Sequence, residues 1–362
     1  MAGPSRGLAW LDWLRFGAAF AVLFDHTKQF SLVPYGDLPP AQQGLAVEAL
    51  FAATRLGQPA VVLFFVISGY LVGGRLLEKL RAGEFDLPIY VIDRATRVLV
   101  PLVPAVLLSV VLPGGAISPG TVLGNMLGLQ GTLVPVLANN GSLWTLAYEI
   151  WFYVLAGGLA VLFAGRRQAV GLLVVAIAAG FLAALQSHYL LCWLLGAAAW
   201  LWRPARPSAG WLVLAGALLV IGCAAVELST PGVMQAGEIA MLPIPVAEIA
   251  LAAGSALLIP QLVAAGEPRG GAGPIYRLGA PLAAFSYSLY LTHYPVLVAL
   301  GAIGPPAPAL SAAAAAMFAL RLGVALAVGL VMFWLFEART AVVRRQLRQW
   351  LQRPVSGPPM DS

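Results

Sequence analysis

The chain alternates long apolar runs with short polar breaks, and the runs are too long for the buried faces of soluble helices. Ten of them reach or approach the length a helix needs to cross a bilayer, about 20 residues. Their limits are 8 to 30, 57 to 77, 98 to 113, 142 to 164, 169 to 185, 189 to 202, 209 to 226, 239 to 263, 281 to 301 and 310 to 336. The third and sixth are short, and Pro101 and Pro104 predict a bend in the third. The pattern predicts an all-α fold, a polytopic membrane helix bundle of about ten transmembrane helices.

Composition supports this and excludes a single soluble domain. Of 362 residues, 60% are hydrophobic and 10% charged, against about 25% charged in a typical soluble domain; the mean hydropathy is +0.87. The formal charge of +6 would suggest nucleic acid in a soluble protein, but in a membrane protein the positions of the charges carry more information than their sum. With the N-terminus in the cytoplasm, 17 of the 21 basic residues fall in cytoplasmic loops, five of them between Arg75 and Arg97 and five between Arg339 and Arg353. Lys28 and Arg55 fall outside, and Arg15 and Arg321 lie within runs. The positive-inside rule therefore predicts both termini in the cytoplasm. The implied partner is the lipid bilayer, and no nucleic acid is expected.

The first run carries Asp12, Arg15, Asp25 and His26, too polar for a cleavable signal peptide, and is expected to stay in the mature protein. Cys192 and Cys223 lie inside apolar runs and read as packing residues; no metal-ligand spacing is present, so no metal is expected. Residues 1–350 are expected to form one membrane domain and 351–362, rich in Pro, Ser and Gly, a flexible cytoplasmic tail.

Ionisable groups inside membrane spans are costly and mark function by default. Arg15 and His26 are eleven positions apart; at about 100° and 1.5 Å per residue they return to within about 20° of one helix face, about 16 Å apart along the axis. Asp12 on nearly the same stripe allows a plainer account, an Asp/Arg pair with a histidine capping near the outer interface. Asp25 sits about 100° round the helix from His26 and is not automatically the group that orients its ring. In the second run, LFFVISGYLVGGRLL, Gly69 and Gly73 form a GxxxG pair beside Ser68. Such a pair serves close helix packing and would also admit a ligand to bare backbone.

The stretch DLPIYVIDRATRVLVPLVP starts with the helix-initiating Asp86 and Pro88 and projects Arg94 and Arg97 from one face. There they can anchor lipid headgroups or grip a phosphate. Glu149 lies about 10 Å below the outer boundary of the fourth run, at a depth comparable with His26, and can pair either with that histidine or with a cation such as Arg321. The ninth run, AAFSYSLYLTHYPVLV, sets Ser286, Tyr290 and His293 on one face. His188, in a short external turn, reads as exposed.

Together these blocks resemble the membrane acyltransferase-3 family over nearly the whole chain. LDWLRFGAAFAVLFDH has the family's arginine, ten residues and histidine; FFVISGYL matches its FFxxSG block; YVIDRATRVLVPLVP its RxxR block with proline; SLWTLAYEIWFY its tryptophan and glutamate block; and FSYSLYLTHYPV its serine, tyrosine and histidine block. The resemblance implies an inner-membrane enzyme of ten or so helices that moves an acyl group, usually acetyl, from cytosolic acyl-CoA to a hydroxyl of a sugar or another acceptor. It also implies that His26 is the essential histidine, with Arg15, Arg94 and Arg97 as further functional positions.

The expected layout places Arg94 and Arg97 at the cytoplasmic mouth, Arg15 just inside, and Ser68 and Gly69 nearby, all binding acyl-CoA. His26 is the expected general base, since an imidazole titrating near pH 6.5 suits proton removal from an alcohol. Glu149, in contact with it, would orient the ring; an acyl group carried by His26, or by Ser68 through His26, is an alternative. Trp144, Tyr290 and His293 are assigned to the acceptor, a sugar of a cell-surface polysaccharide, lipopolysaccharide or glycolipid, or else a small natural product. The rival class is a glycan or lipid transporter or flippase, for which the intramembrane Glu248, Arg321 and His293 would be the polar sites.

Overall fold

The computed structural model describes residues 9–112, 117–165, 167–229, 243–266 and 274–352. The tail expected at the C-terminus, from residue 353 on, and Arg6, Arg166, Arg269 and Arg353 lie outside the described residues. Fourteen α-helices follow one another: α1 (Ala9–Ser31), α2 (Leu45–Ala53), α3 (Gly57–Ser68), α4 (Gly74–Arg81), α5 (Leu87–Val111), α6 (Pro119–Met126), α7 (Trp144–Phe163), α8 (Gln168–Ala184), α9 (His188–Ala199), α10 (Ala209–Ser229), α11 (Ile244–Ala265), α12 (Pro274–Gly301), α13 (Ala312–Leu335) and α14 (Thr340–Leu351). Among the described residues the only β pairings are two isolated bridges. The protein is an all-α polytopic membrane bundle.

Each of the ten apolar runs coincides with a helix. Six stretches are long and apolar enough to cross a membrane: Leu45–Arg81, Leu87–Val111, Gly141–Phe163, Ala209–Val226, Ile244–Ala265 and Ala312–Leu351. α8 and α9 are apolar but shorter, while α1 and α12, at 23 and 28 residues, have the length but carry the polar groups of the site. Leu172, Leu173 and Ile177 of α8 and Val213 and Val220 of α10 are exposed, as expected of surfaces whose solvent is hydrocarbon. α5 starts at Leu87, well before the run predicted to open at 98, because Asp86 caps it through Ile89 N–H at 2.9 Å and Pro88 occupies its first turn. Arg94 and Arg97 therefore stand on the same rigid helix as the apolar span.

Two contacts position the site. α3 continues through a π-helical turn, Gly69–Gly73, into α4, and this turn lies directly against α9. A Cβ on Gly69 would sit 1.9 Å from the Trp193 carbonyl oxygen, and one on Gly196 would sit 2.0 Å from that of Val66, so the two backbones meet through reciprocal glycines. α1 packs along α12, and the C-terminal end of α1 is stitched to the segment that follows α12. Val33 N–H donates to the Ala307 carbonyl and Ala307 N–H to the Ser31 carbonyl, both at 3.0 Å.

Candidate active site

The basic ends of α1, α4, α5 and α14, with α3, α7 and α12, enclose a cavity of about 420 Å³. Arg15, Arg75, Lys79, Arg94, Arg97 and Arg344 line it, with Asp93 and Glu149 as its acidic residues and Ser68 on the wall. Helical spacing produces the concentration of charge: Arg75 and Lys79 are one turn apart on α4, as are Arg94 and Arg97 on α5. Both carboxylates are engaged. Asp93 accepts from Arg348 Nη2 at 2.5 and 2.6 Å, and Glu149 accepts from the Tyr153 hydroxyl. Arg97 is also committed, its Nη1 donating to the buried Glu337 at 2.7 Å and its guanidinium lying over the Tyr287 ring at 5.1 Å. Arg94 lies over the Tyr153 ring at 5.4 Å. Arg15, Arg75, Lys79, Arg94 and Arg344 make no ion pair among the described residues.

Away from the arginines the cavity wall becomes Phe64, Phe65, Thr145 and Tyr290. Tyr290 is held in place by its hydroxyl, which is 2.8 Å from Thr145 Oγ1 and 3.1 Å from the Ser142 carbonyl. Its ring lies 5.7 Å from that of Phe64 and 5.7 Å from that of His293. Tyr290 thus joins the cationic cavity to a second centre behind it.

That second centre is a pair of histidines. His26 Nδ1 and His293 Nε2 are 2.8 Å apart, and the rings stack with planes 10° apart. Tyr294 closes on His26 edge-first at 5.1 Å. His293 is fully buried, and its Nδ1 lies 3.1 Å from the Leu289 carbonyl one turn back along α12. A carbonyl only accepts, so His293 Nδ1 carries a proton; in the neutral pair His293 Nε2 must then accept and His26 Nδ1 must donate. The chain Leu289 carbonyl, His293, His26 leaves the lone pair of the pair on His26 Nε2.

The sequence-predicted residues divide between the two centres. Arg15, Ser68, Arg94, Arg97 and Glu149 meet at the cavity, whereas His26 and His293 lie together beyond Tyr290. Glu149, expected as the partner of His26, is given instead to Tyr153 and the cationic wall; His293, expected at the acceptor, takes the place next to His26. Helical depth alone did not separate these two carboxylate and imidazole options, because it says nothing of which way a helix faces. Gly69 belongs to helix packing, since the Trp193 carbonyl occupies the space a ligand would need. Trp144 packs edge-on against Phe65 and Tyr148 and lies 5.5 Å from the Tyr189 ring, away from the cavity wall.

The remaining intramembrane charges are also accounted for. His188, expected in an exposed turn, is largely covered and its Nε2 is 2.5 Å from Glu248 Oε2. Gln58 Nε2 and the Tyr189 hydroxyl donate to Glu248 Oε1 at 2.6 and 3.1 Å. Asp25 pairs with Lys28 at 2.8 Å, not with His26. Arg321 donates to carbonyls at the ends of α1 and α12, not to Glu149. Four residues of this arrangement were read from sequence only as topology markers or not at all. The basic trio Arg75, Lys79 and Arg344 was visible in the charge tally, whereas Glu337 had no local signal, being a single carboxylate at the end of an apolar helix. Among the described residues no three His, Cys, Asp or Glu side chains come together in a metal-binding group.

The family model of an acyltransferase domain, acyltransferase-3, matches residues 8–336, a stretch that includes every residue of both centres except Arg344 of the cavity wall and the ion-pairing Glu337 and Arg348. No curated protein and no solved structure matches the chain. With that family match spanning nearly all of its described helices, the chain belongs to the membrane acyltransferase-3 family.

Proposed function

We propose that this acyltransferase takes its acyl group, most simply acetyl, from acyl-CoA and delivers it to a hydroxyl of a sugar in a cell-surface polysaccharide, lipopolysaccharide or glycolipid, from the inner membrane of a bacterial cell. The observation that carries the proposal is the set of five cations around one cavity that have no ion-pair partner among the described residues, of which Arg15, Arg94 and Arg344 are partly covered and Arg75 and Lys79 exposed at the mouth. Unpaired charge in a partly desolvated site is unfavourable until an opposite charge arrives, and the phosphates of coenzyme A supply several. Arg94 and Arg15 are the chief phosphate ligands; Arg97, fixed by Glu337, anchors that wall. Ser68 flanks the pantetheine path.

His26 is the general base. Its Nε2 lone pair takes the proton of the acceptor hydroxyl as the oxygen attacks the thioester carbonyl carbon. The C–S bond breaks, and the proton on His26 passes to the departing thiolate, so that an ester and free thiol result and the histidine returns to its starting state. His293 holds the required tautomer, the part a carboxylate plays in serine hydrolases. The thioester reaches His26 only if Tyr290 and Phe64 turn aside.

The test is transfer of radiolabelled acetyl from acetyl-CoA by membrane vesicles carrying the protein. His26→Ala is expected to lower transfer by about a hundred- to ten-thousandfold, the usual worth of a general base, with the protein still inserted. Full transfer by that variant would remove His26 from the reaction, and label that never leaves acetyl-CoA with any acceptor would remove the donor. Comparing surface glycans by mass in cells with and without the gene identifies the acceptor through a missing acetyl increment.

A further inference from the structure

Arg321 is 0% exposed, in the middle of the lipid-facing helix α13, and among the described residues its hydrogen-bond partners are carbonyls and a hydroxyl, with no carboxylate. Its Nη1 donates to the Phe30 carbonyl at 2.5 Å and to Ser31 Oγ at 3.4 Å; its Nη2 donates to the Leu300 carbonyl at 3.3 Å and the Gly304 carbonyl at 2.6 Å. Phe30 and Leu300 are in the last turns of α1 and α12, and Gly304 follows α12 directly. The last carbonyls of a helix lack intrahelical donors and carry the negative end of its dipole. One guanidinium therefore bridges the C-terminal end of α1, through the Phe30 carbonyl, to the turn that follows α12, through the Gly304 carbonyl, with a longer second contact to the Leu300 carbonyl, which also accepts from Ile303 N–H. Those two helices carry the histidine pair: His26 lies one turn before Phe30, and His293 two turns before Leu300.

We infer that Arg321 is a positioning residue that fixes the register of α1 against α12 and so holds His26 Nδ1 on His293 Nε2. The inference rests on His26 being the base. A planar fork with two donor arms suits this task where lysine, a single point of charge, does not. Without it the hydrogen bonds joining the helix ends are the Ser31, Val33 and Ala307 backbone ones, beside the Phe30–Tyr294 ring contact at 5.7 Å, and a shift of about 1 Å between reacting groups can cost about a hundredfold in rate.

The test uses Arg321→Met, which keeps the volume and removes the donors, and Arg321→Lys, which keeps the charge in case the first variant does not insert. Acetyl transfer is expected to fall about ten- to hundredfold in kcat with the KM for acetyl-CoA unchanged, since the cationic cavity is remote. A disulfide between Leu32→Cys and Ala307→Cys, which face each other across the bridge joining the two ends, is introduced with Cys192 and Cys223 replaced by alanine. In the fraction of each Arg321 variant that does cross-link, it is expected to restore most of the lost kcat. Its oxidation yield should be high with Arg321 present and low in either variant, a readout that needs no activity. An unchanged kcat, a formed disulfide that rescues nothing, or an equal oxidation yield with and without Arg321 would overturn the inference. Full transfer by His26→Ala would instead remove the base, leaving the cross-linking yield to judge the clamp alone.

Discussion

Replacing His293 by alanine separates an orienting histidine from one that binds the acceptor. The substitution removes the acceptor 2.8 Å from His26 Nδ1 and leaves that N–H, packed against α12 beside Tyr294, without its partner. A buried donor left unsatisfied costs about 1–3 kcal/mol. If the cost is felt as freedom of the imidazole to turn its Nδ1 rather than its Nε2 toward the substrate, kcat falls about fivefold to somewhat over a hundredfold, at about 1.36 kcal/mol per tenfold. His293 acts through His26, so the double variant His26→Ala/His293→Ala should be no slower than His26→Ala alone. His293→Gln, whose amide oxygen can accept the same proton, should recover part of the rate. The assay is initial-rate acetyl transfer from labelled acetyl-CoA in vesicles, with kcat and the two KM values measured separately. Losses that multiply in the double variant, or an effect confined to the KM of the acceptor, would refute the orienting role and return His293 to acceptor binding.

Two further outcomes follow from the geometry of the cavity and of the helix contacts. Arg94→Ala should raise the KM for acetyl-CoA about ten- to hundredfold, as expected for a lost charge-assisted bond of about 1.5–3 kcal/mol, with little effect on thermal unfolding in detergent. Arg97→Ala should instead lower the unfolding temperature, because it strands Glu337 in a buried site. Equal KM effects without any stability difference would contradict the division between a free and an anchored arginine. Gly69→Ala should destabilise the protein by about 1–3 kcal/mol or more, since its Cβ meets a backbone oxygen that cannot step aside; an unchanged unfolding temperature would show that the α3/α9 contact is looser than described.

The hydrophobic pattern located the helices well because bilayer crossing imposes a length that any sequence must meet, and the ten runs from 8 to 30 through 310 to 336 all fell on helices. It failed at the start of α5, where a polar, amphipathic stretch obeys capping and propensity more than hydropathy. Of the site, the Arg15 and His26 stripe and the Arg94 and Arg97 pair were legible, since each depends on spacing within one helix. The pairing of His26 with His293, and of Arg97 with Glu337, was not. Those contacts join residues more than 200 positions apart, and nothing in one helix's periodicity says which neighbour it faces. For the same reason the depth of Glu149 left both His26 and Arg321 open as its partner, and the Tyr153 hydroxyl that it meets lies one turn along its own helix.

α12 shows how a proline inside a helix can be accommodated, and it yields a prediction that depends on two residues at once. Pro295 has no N–H, so the Leu291 carbonyl four residues back loses its helical donor. Asn140, fully buried in the NNGSLW loop before α7, supplies one: its Nδ2 donates to Leu291 O at 3.0 Å and reaches Ser109 Oγ of α5 at 2.9 Å. The loop thus repairs α12 two residues from His293 and ties it to α5, the helix of the arginine pair. Asn140→Ala should cost about 1–3 kcal/mol through the unsatisfied carbonyl, with a fall in kcat because Leu291 is two residues from His293. Pro295→Ala restores a helical N–H to Leu291, so adding it to Asn140→Ala should recover stability, whereas Pro295→Ala alone should gain little while Asn140 still holds the carbonyl. Unfolding in detergent of the four proteins gives the coupling directly. Additive effects would mean that Asn140 acts through Ser109 alone and that the helix around Pro295 is held by packing.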